Sequence, residues 1–209
     1  GARTYTVERI PATGTDFTPD GSQRVTAFDE RVVMSMGIGT QIDGLAHLGV
    51  DHHYYNGITS EQVASSRVLD LASIPPIVTR GVLIDMTKHY GRPVLEAGLA
   101  FNRKEIEAAA KAQKIKIRKG DVVLFHTGWM SLAETNRDVF RSTEPGLGED
   151  GAIWLADQGV VAIGADTVAL EAIPFENPDR AFIVHQTLLA KRGVHILETI
   201  NTHELARDG

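Results

Sequence analysis

The hydrophobic pattern of the chain becomes regular only after residue 30. Residues 1–30 carry Pro11, Gly14, Pro19 and Gly21 among polar positions without a sustained period. They are expected to form an N-terminal arm of loop and extended chain, ahead of a single domain over 31–209. Residues 32–36, Val-Val-Met-Ser-Met, read as a strand, and Gly37, Gly39 and Gly44 then interrupt it where the backbone must bend or admit a close neighbour. Residues 81–86 and 121–126 are short apolar, β-branched runs opened by the turn signals Arg80-Gly81 and Lys119-Gly120-Asp121, which predicts buried strands. Runs at 160–166, 181–185 and 194–200 complete the predicted strands. Between them, Asn102 and Glu105 form a capping pair for a helix running to about residue 114. A second helix is expected over 149–158, with Ile153, Leu155 and Ala156 on its apolar side and Gly159 as its stop. Strands alternating with a few helices place the chain in the α/β class.

Polar residues inside these patterns narrow the chemistry. If Gln41 and Asp43 lie in extended chain, their side chains share a face, and His47 can return to that face through a turn. A loop in which Asp43 caps a backbone amide and His47 is merely hydrogen-bonded fits the segment equally well. In the C-terminal strand, Val194, Ile196, Glu198 and Ile200 share one face, which is aliphatic apart from Glu198. A carboxylate buried there costs several kcal/mol unless it is paired, so Glu198 requires a cationic partner: Lys191, Arg192 or a metal ion. His185 ends an apolar run thirteen residues earlier, as a satisfied core histidine or as a further ligand.

Composition limits the partners. The chain has eight histidines and no cysteine, which excludes disulfides, iron–sulfur clusters and thiolate zinc sites, so a metal must use imidazole, carboxylate or amide ligands. A net charge of −6 without a large basic patch argues against a nucleic-acid partner; the Lys/Arg cluster over 111–119 reads as a solvated helix end. No apolar run approaches the roughly 20 residues of a membrane span, and no apolar signal core opens the chain, so no membrane partner and a cytoplasmic location are expected.

Residues 37–47, Gly-Ile-Gly-Thr-Gln-Ile-Asp-Gly-Leu-Ala-His, align without a gap on the signature His-x-Gly-Thr-His-x-Asp-x-Pro-x-His of the cyclase family, the metal-dependent hydrolases that include bacterial kynurenine formamidase and isatin hydrolase. Gly39, Thr40, Asp43 and His47 are retained. Further similar segments follow in the family's order: residues 120–124 leading into Thr127-Gly128-Trp129, Pro145-Gly146-Leu147, Trp154-Leu155, residues 164–167, and His185 followed by Leu188-Leu189 and Glu198. The resemblance implies a swivelling β/β/α fold with a mixed sheet and a few flanking helices, a homo-oligomer, and metal-ligand positions at Asp43, His185 and Glu198. It also implies that His47 is the catalytic imidazole. Gly37 and Gln41 stand where the family has two histidine ligands. An amide oxygen from Gln41 still suits a hard or borderline cation, so one divalent ion is expected, manganese or zinc.

Such a site hydrolyses an amide or lactone of a small-molecule substrate by activating water, with His47 as general acid and base. Phe125, Trp129 and the Tyr54-Tyr55 pair are candidates for a stacking wall around an aromatic substrate, or are simply packing. His52 and His53 offer substitute ligands or substrate contacts, or form an exposed loop without function. The alternative from another class is an inactive relative that has lost its metal with the changes at 37 and 41 and binds a small molecule.

Overall fold

The structure, a computed structural model, describes residues 3–11 and 27–209. The loop reading at Gly14, Pro19 and Gly21 lies outside the described residues. The chain divides into two compact units, Gly1–Gly39 and Thr40–Gly209. In the first, β1 (Tyr5–Pro11) pairs antiparallel with β2 (Phe28–Met34), Tyr5 opposite Met34 and Pro11 opposite Phe28. A strand thus occupies part of the segment read as irregular. Its β-branched and aromatic residues Tyr5, Thr6, Val7 and Ile10 favour extended chain, and because every described side chain of the ribbon is exposed, no apolar period marks it.

The second unit is built on a five-stranded mixed sheet. Its strands are β3 (Gln41–Asp43), β4 (Gly81–Asp85), β6 (Val122–His126), β8 (Ala162–Ala165) and β9 (His195–Glu198), in the order β3-β9-β8-β6-β4, with β3 antiparallel to β9 and the rest parallel. β5 (Ala100–Phe101) and β7 (Gly146–Leu147) make a small separate pair. The helices are α1 (Ser60–Ser65), α2 (Met86–Tyr90), α3 (Arg103–Ala112), α4 (Leu132–Thr135), α5 (Arg137–Ser142), α6 (Glu149–Asp157), α7 (Ile183–His185) and α8 (His203–Asp208). This is the mixed α/β architecture expected of the sequence, and no helix of the described residues is long and apolar enough to cross a membrane.

Strand alternation decides where the core sits. Val123, Phe125, Ile163, Ala165 and Ile196 point to one face, where Ile106, Ala109, Ala152, Leu155, Leu188 and Leu189 cover them. α3 opens as predicted, with Glu105 accepting from the Asn102 amide at 3.0 Å, and it ends at Ala112. Gly159 stops α6 with φ 76°. At the start of β6, the Arg80 guanidinium grips buried Asp121 through Nε (2.9 Å) and Nη2 (2.6 Å), holding this carboxyl below the usual range and tying β4 to β6. Gly164 lets β9 approach β8, since a Cβ there would meet the Cβ of Leu197 at 2.6 Å.

One predicted strand is a helix. Residues 181–185 lead into α7, which continues as a wide π-type turn over Gln186–Arg192. Ile183, Val184, Leu188 and Leu189 are all buried, and a short continuous apolar run is the case in which periodicity does not separate strand from buried helix.

Candidate metal centre

The register of β3 against β9 creates the site. Gln41 lies opposite Glu198 and Asp43 opposite Ile196, so the two-residue period brings Gln41, Asp43 and Glu198 onto one face at the edge of the core. Asp43 is 5% exposed and Glu198 2%. His185 reaches the same point from α7, its Nε2 3.2 Å from Glu198 Oε1 and 3.8 Å from Asp43 Oδ2. One ligand atom from each of Asp43, His185 and Glu198 falls within 4.8 Å of the others.

Glu171 fixes the imidazole. Its Oε1 lies 2.6 Å from His185 Nδ1 and accepts from the His185 amide at 3.2 Å, while Oε2 accepts from the Val184 amide at 3.4 Å. A single buried carboxylate therefore caps the helical turn and orients the ring, leaving Nε2 for the cluster. A carboxylate behind a ligating histidine is the arrangement that sets ring orientation and raises basicity at metal sites. Non-glycine residues with left-handed φ flank the members of this network: Leu170 (58°) before Glu171, Phe182 (53°) before α7 and Thr199 (55°) after Glu198. The backbone is bent where the ligands are aimed.

The electrostatics call for a cation. Burial alone would lower the His185 pKa, but hydrogen bonds to Glu171 and Glu198 outweigh it and bring the imidazole up to about 9. Burial pushes the Glu144 carboxyl up to about 8, against the amides of Val168 and Ala169 that it accepts, and Glu198 adds to the rise. Both groups thus hold a proton at neutral pH in the metal-free protein. Asp43 Oδ2 is buried and has no hydrogen-bond partner among the described residues, although it faces the cluster. An orphaned carboxylate oxygen beside a second carboxylate and an oriented imidazole is a donor set that fits a divalent ion. Glu198 finds no partner in Arg192, which pairs with Asp157 at 2.8 Å.

Gln41 donates from Nε2 to Glu198 Oε2 (2.6 Å) and Asp43 Oδ1 (3.2 Å), so its amide joins the two carboxylates. Turning the amide end for end would present Oε1 instead. His47 returns as the spacing suggested: its amide donates to the Gly44 carbonyl at 2.9 Å, and the ring places Nε2 3.6 Å from Asp43 Oδ2 with its centroid 6.4 Å from that of His185. The His47 side chain is 51% exposed and lines an open cavity of about 310 Å³ with Ser66, Arg67 and Asp70.

The other candidates lie elsewhere. His52 and His53 are exposed, His53 Nδ1 sits 2.6 Å from the Asp51 carbonyl, and no hydrogen bond or ion pair among the described residues links either histidine to the cluster. Tyr54 is half-buried, and its backbone closes a turn with Ile58. For Phe125 and Trp129 the stacking role is corrected. Phe125 is fully buried against Phe101 on the core face of β6, and Trp129 is 2% exposed with Nε1 donating to the Phe140 carbonyl, so neither ring offers a free face to a ligand. Glu171 and Glu144 were not found by sequence reasoning. The signal for Glu171 was available, since it is a lone acid within Ala169-Leu170-Glu171-Ala172-Ile173, the same anomaly that marks Glu198.

A model of the Cyclase family matches residues 4–172. The chain belongs to the cyclase family. The match ends before His185 and Glu198, and the structure joins those two residues to Asp43. No curated protein matches the chain. Among solved structures, a novel cyclase aligns at 29% identity and a TM-score of 0.75, covering 99% of this chain and 69% of that one. Isatin hydrolase A from Ralstonia solanacearum aligns at 17% identity and a TM-score of 0.67 over 97% of this chain and 71% of its own. Isatin hydrolase A from Labrenzia aggregata, bound to benzyl benzoate, aligns at 17% and 0.63 over 95% and 71%. With the two isatin hydrolases the likeness is one of cyclase-family fold.

Proposed function

We propose that this cyclase-family chain is a metal-dependent hydrolase that opens an amide, cyclic amide or lactone bond of a small aromatic substrate. The observation that carries the reading is the buried Asp43–His185–Glu198 cluster with the half-exposed His47 imidazole 3.6 Å from its edge. Asp43, Glu198 and His185 would hold one divalent ion, with Gln41 adding its carbonyl oxygen once the amide is turned. Three oxygens to one nitrogen suit manganese better than zinc. Bound there, the ion supplies Lewis acidity, polarising a carbonyl and lowering the pKa of water from about 15.7 toward roughly 7.

The chain's own residues supply the rest. Glu171 keeps His185 Nε2 aimed at the cluster, so this ring needs no turn to ligate, only the loss of its proton. His47, open to the cavity, takes a proton from the attacking water and passes it to the leaving nitrogen or oxygen. Asp43 Oδ2 steadies the imidazolium between these two transfers. The isatin hydrolases among the solved relatives support a carbonyl of a ring-fused cyclic amide as the group attacked.

His47→Ala tests the assignment. Proton transfer contributes typically 10²–10⁴-fold and needs no bond to the ion, so the variant should keep its metal by elemental analysis and lose turnover of isatin by that order. Metal loss in the variant makes His47 a ligand; full activity with metal retained rejects the mechanism. The Gln41 amide bridging Asp43 and Glu198 favours a second reading, in which the cluster is satisfied without an ion and the fold only binds a ligand. Purified protein that takes up neither manganese nor zinc would select it.

A further inference from the structure

A second cluster of titratable groups lies on the other face of the sheet. Strand alternation places Phe125 on the core face and His126 opposite, whereas Glu198 shares the core face with Ile196. His126 is 8% exposed, and its Nδ1 lies 2.8 Å from Thr202 Oγ1 and 3.5 Å from Asp166 Oδ2. Asp166 is fully buried. Its Oδ1 accepts from the Thr127 amide (2.9 Å) and hydroxyl (2.6 Å), while Oδ2 has no hydrogen-bond partner among the described residues. His126 Nε2 likewise has none. The imidazole of His203, exposed at the start of α8, has its centroid 6.5 Å from that of His126. Both rings, with Asp166, Glu134 and Asn201, line a cavity of about 650 Å³ whose walls include no lysine or arginine among the described residues.

We infer that His126 and His203 form a second metal site, for an imidazole-seeking divalent transition ion, with Asp166 as the carboxylate behind His126. Two imidazoles reaching one ion at about 2.1 Å through ring nitrogens hold their centroids roughly 5–6.5 Å apart, and exposed His203 is free to close the remainder. An ion on Nε2 fixes the ring proton on Nδ1, where Thr202 Oγ1 and the unsatisfied Asp166 Oδ2 both wait to accept it. A ligating histidine needs such an acceptor for its other ring nitrogen. Glu134 and Asn201 line the same cavity. The ion would clamp the start of α8 to the end of β6. Nitrogen-rich where the Asp43 centre is oxygen-rich, the site should take cobalt or zinc in preference to manganese.

Cobalt(II) titration, followed by visible absorption and equilibrium dialysis, tests this on the whole chain. Glu198→Gln protein, with the Asp43 centre disabled, should still bind one equivalent of cobalt. His203→Ala, at an exposed position where the fold is not at risk, should bind one equivalent fewer than its parent or bind it 10–100-fold more weakly, and His126→Gln should do the same with an unchanged far-UV spectrum. Because the comparison is between each variant and its parent, it holds whether or not the Asp43 centre binds an ion. Unaltered stoichiometry and affinity in His203→Ala would overturn the assignment, as would a second equivalent that manganese fills as readily as cobalt.

Discussion

Replacing Glu171 by Gln removes one charge and keeps the shape of the group that holds His185. The carboxylate lies 2.6 Å from His185 Nδ1 and is buried, 3% exposed, so solvent does not replace it. In the metal-free protein the imidazole is held at about 9 rather than its ordinary 6.5, against the burial that lowers it, by hydrogen bonds to Glu171 and then Glu198. That difference is worth about 3 kcal/mol of stability, shared between the two carboxylates. A raised histidine pKa contributes fully below about 6.5, and the contribution is lost as pH climbs through about 9. Metal-free Glu171→Gln should therefore melt below the parent at pH 6.5, with the gap narrowing by pH 9.5. Its manganese affinity should fall 10–100-fold, about 1.4–2.7 kcal/mol, because ring orientation and basicity both suffer while all ligands remain. Calorimetric titration with manganese at pH 7.5 reads the second effect and scanning calorimetry the first. Manganese affinity within twofold of the parent would show that Glu171 caps the helical turn and does nothing for the metal.

Gln41→His restores an imidazole beside Asp43 and Glu198 and should tighten zinc more than manganese, by at least tenfold in competition dialysis; equal gains for both ions would place residue 41 outside the ligand set. The metal-free protein should lose stability between pH 7 and 9.5. His185 gives up its proton through about 9, and Glu144, an acid whose pKa burial raises to about 8, destabilises progressively as pH rises from its ordinary 4.5 through that value. Saturating manganese should flatten the decline, and a metal-free melting temperature that is constant or rising over this range contradicts the protonation scheme.

Much of the centre was legible because strand alternation is a strong rule. It put Gln41 and Asp43 on one face and set Glu198 alone on an aliphatic one, and the β3–β9 register turned those two statements into one site. His47 was legible through its four-residue spacing, realised as the turn onto Gly44. What escaped depended on distant pairings. Glu171 stands out in the sequence as a lone acid in an apolar run, but its partner His185 across an intervening loop, like the amides at 168 and 169 that Glu144 caps, is a contact that no local period encodes. The run at 181–185 was misread because five apolar-rich residues fit a buried strand and a buried helical turn alike. Phe125 and Trp129 suggested a stacking wall by residue type, but residues 122–125 are continuously apolar, and only the pairing of β6 with β8 puts Phe125 into the core with Val123.

The central claim is that hydrolysis depends on an ion held by Asp43, His185 and Glu198. The most direct measurement is the rate of isatin ring opening by purified protein as prepared, after chelation and after reloading with manganese, with Asp43→Asn carried through the same steps. The account predicts that chelation abolishes the parent's activity, that manganese restores it in proportion to the one equivalent bound, and that Asp43→Asn recovers neither metal nor rate. Ring opening that survives complete removal of metal, or an Asp43→Asn protein that binds manganese and turns over like its parent, would contradict it.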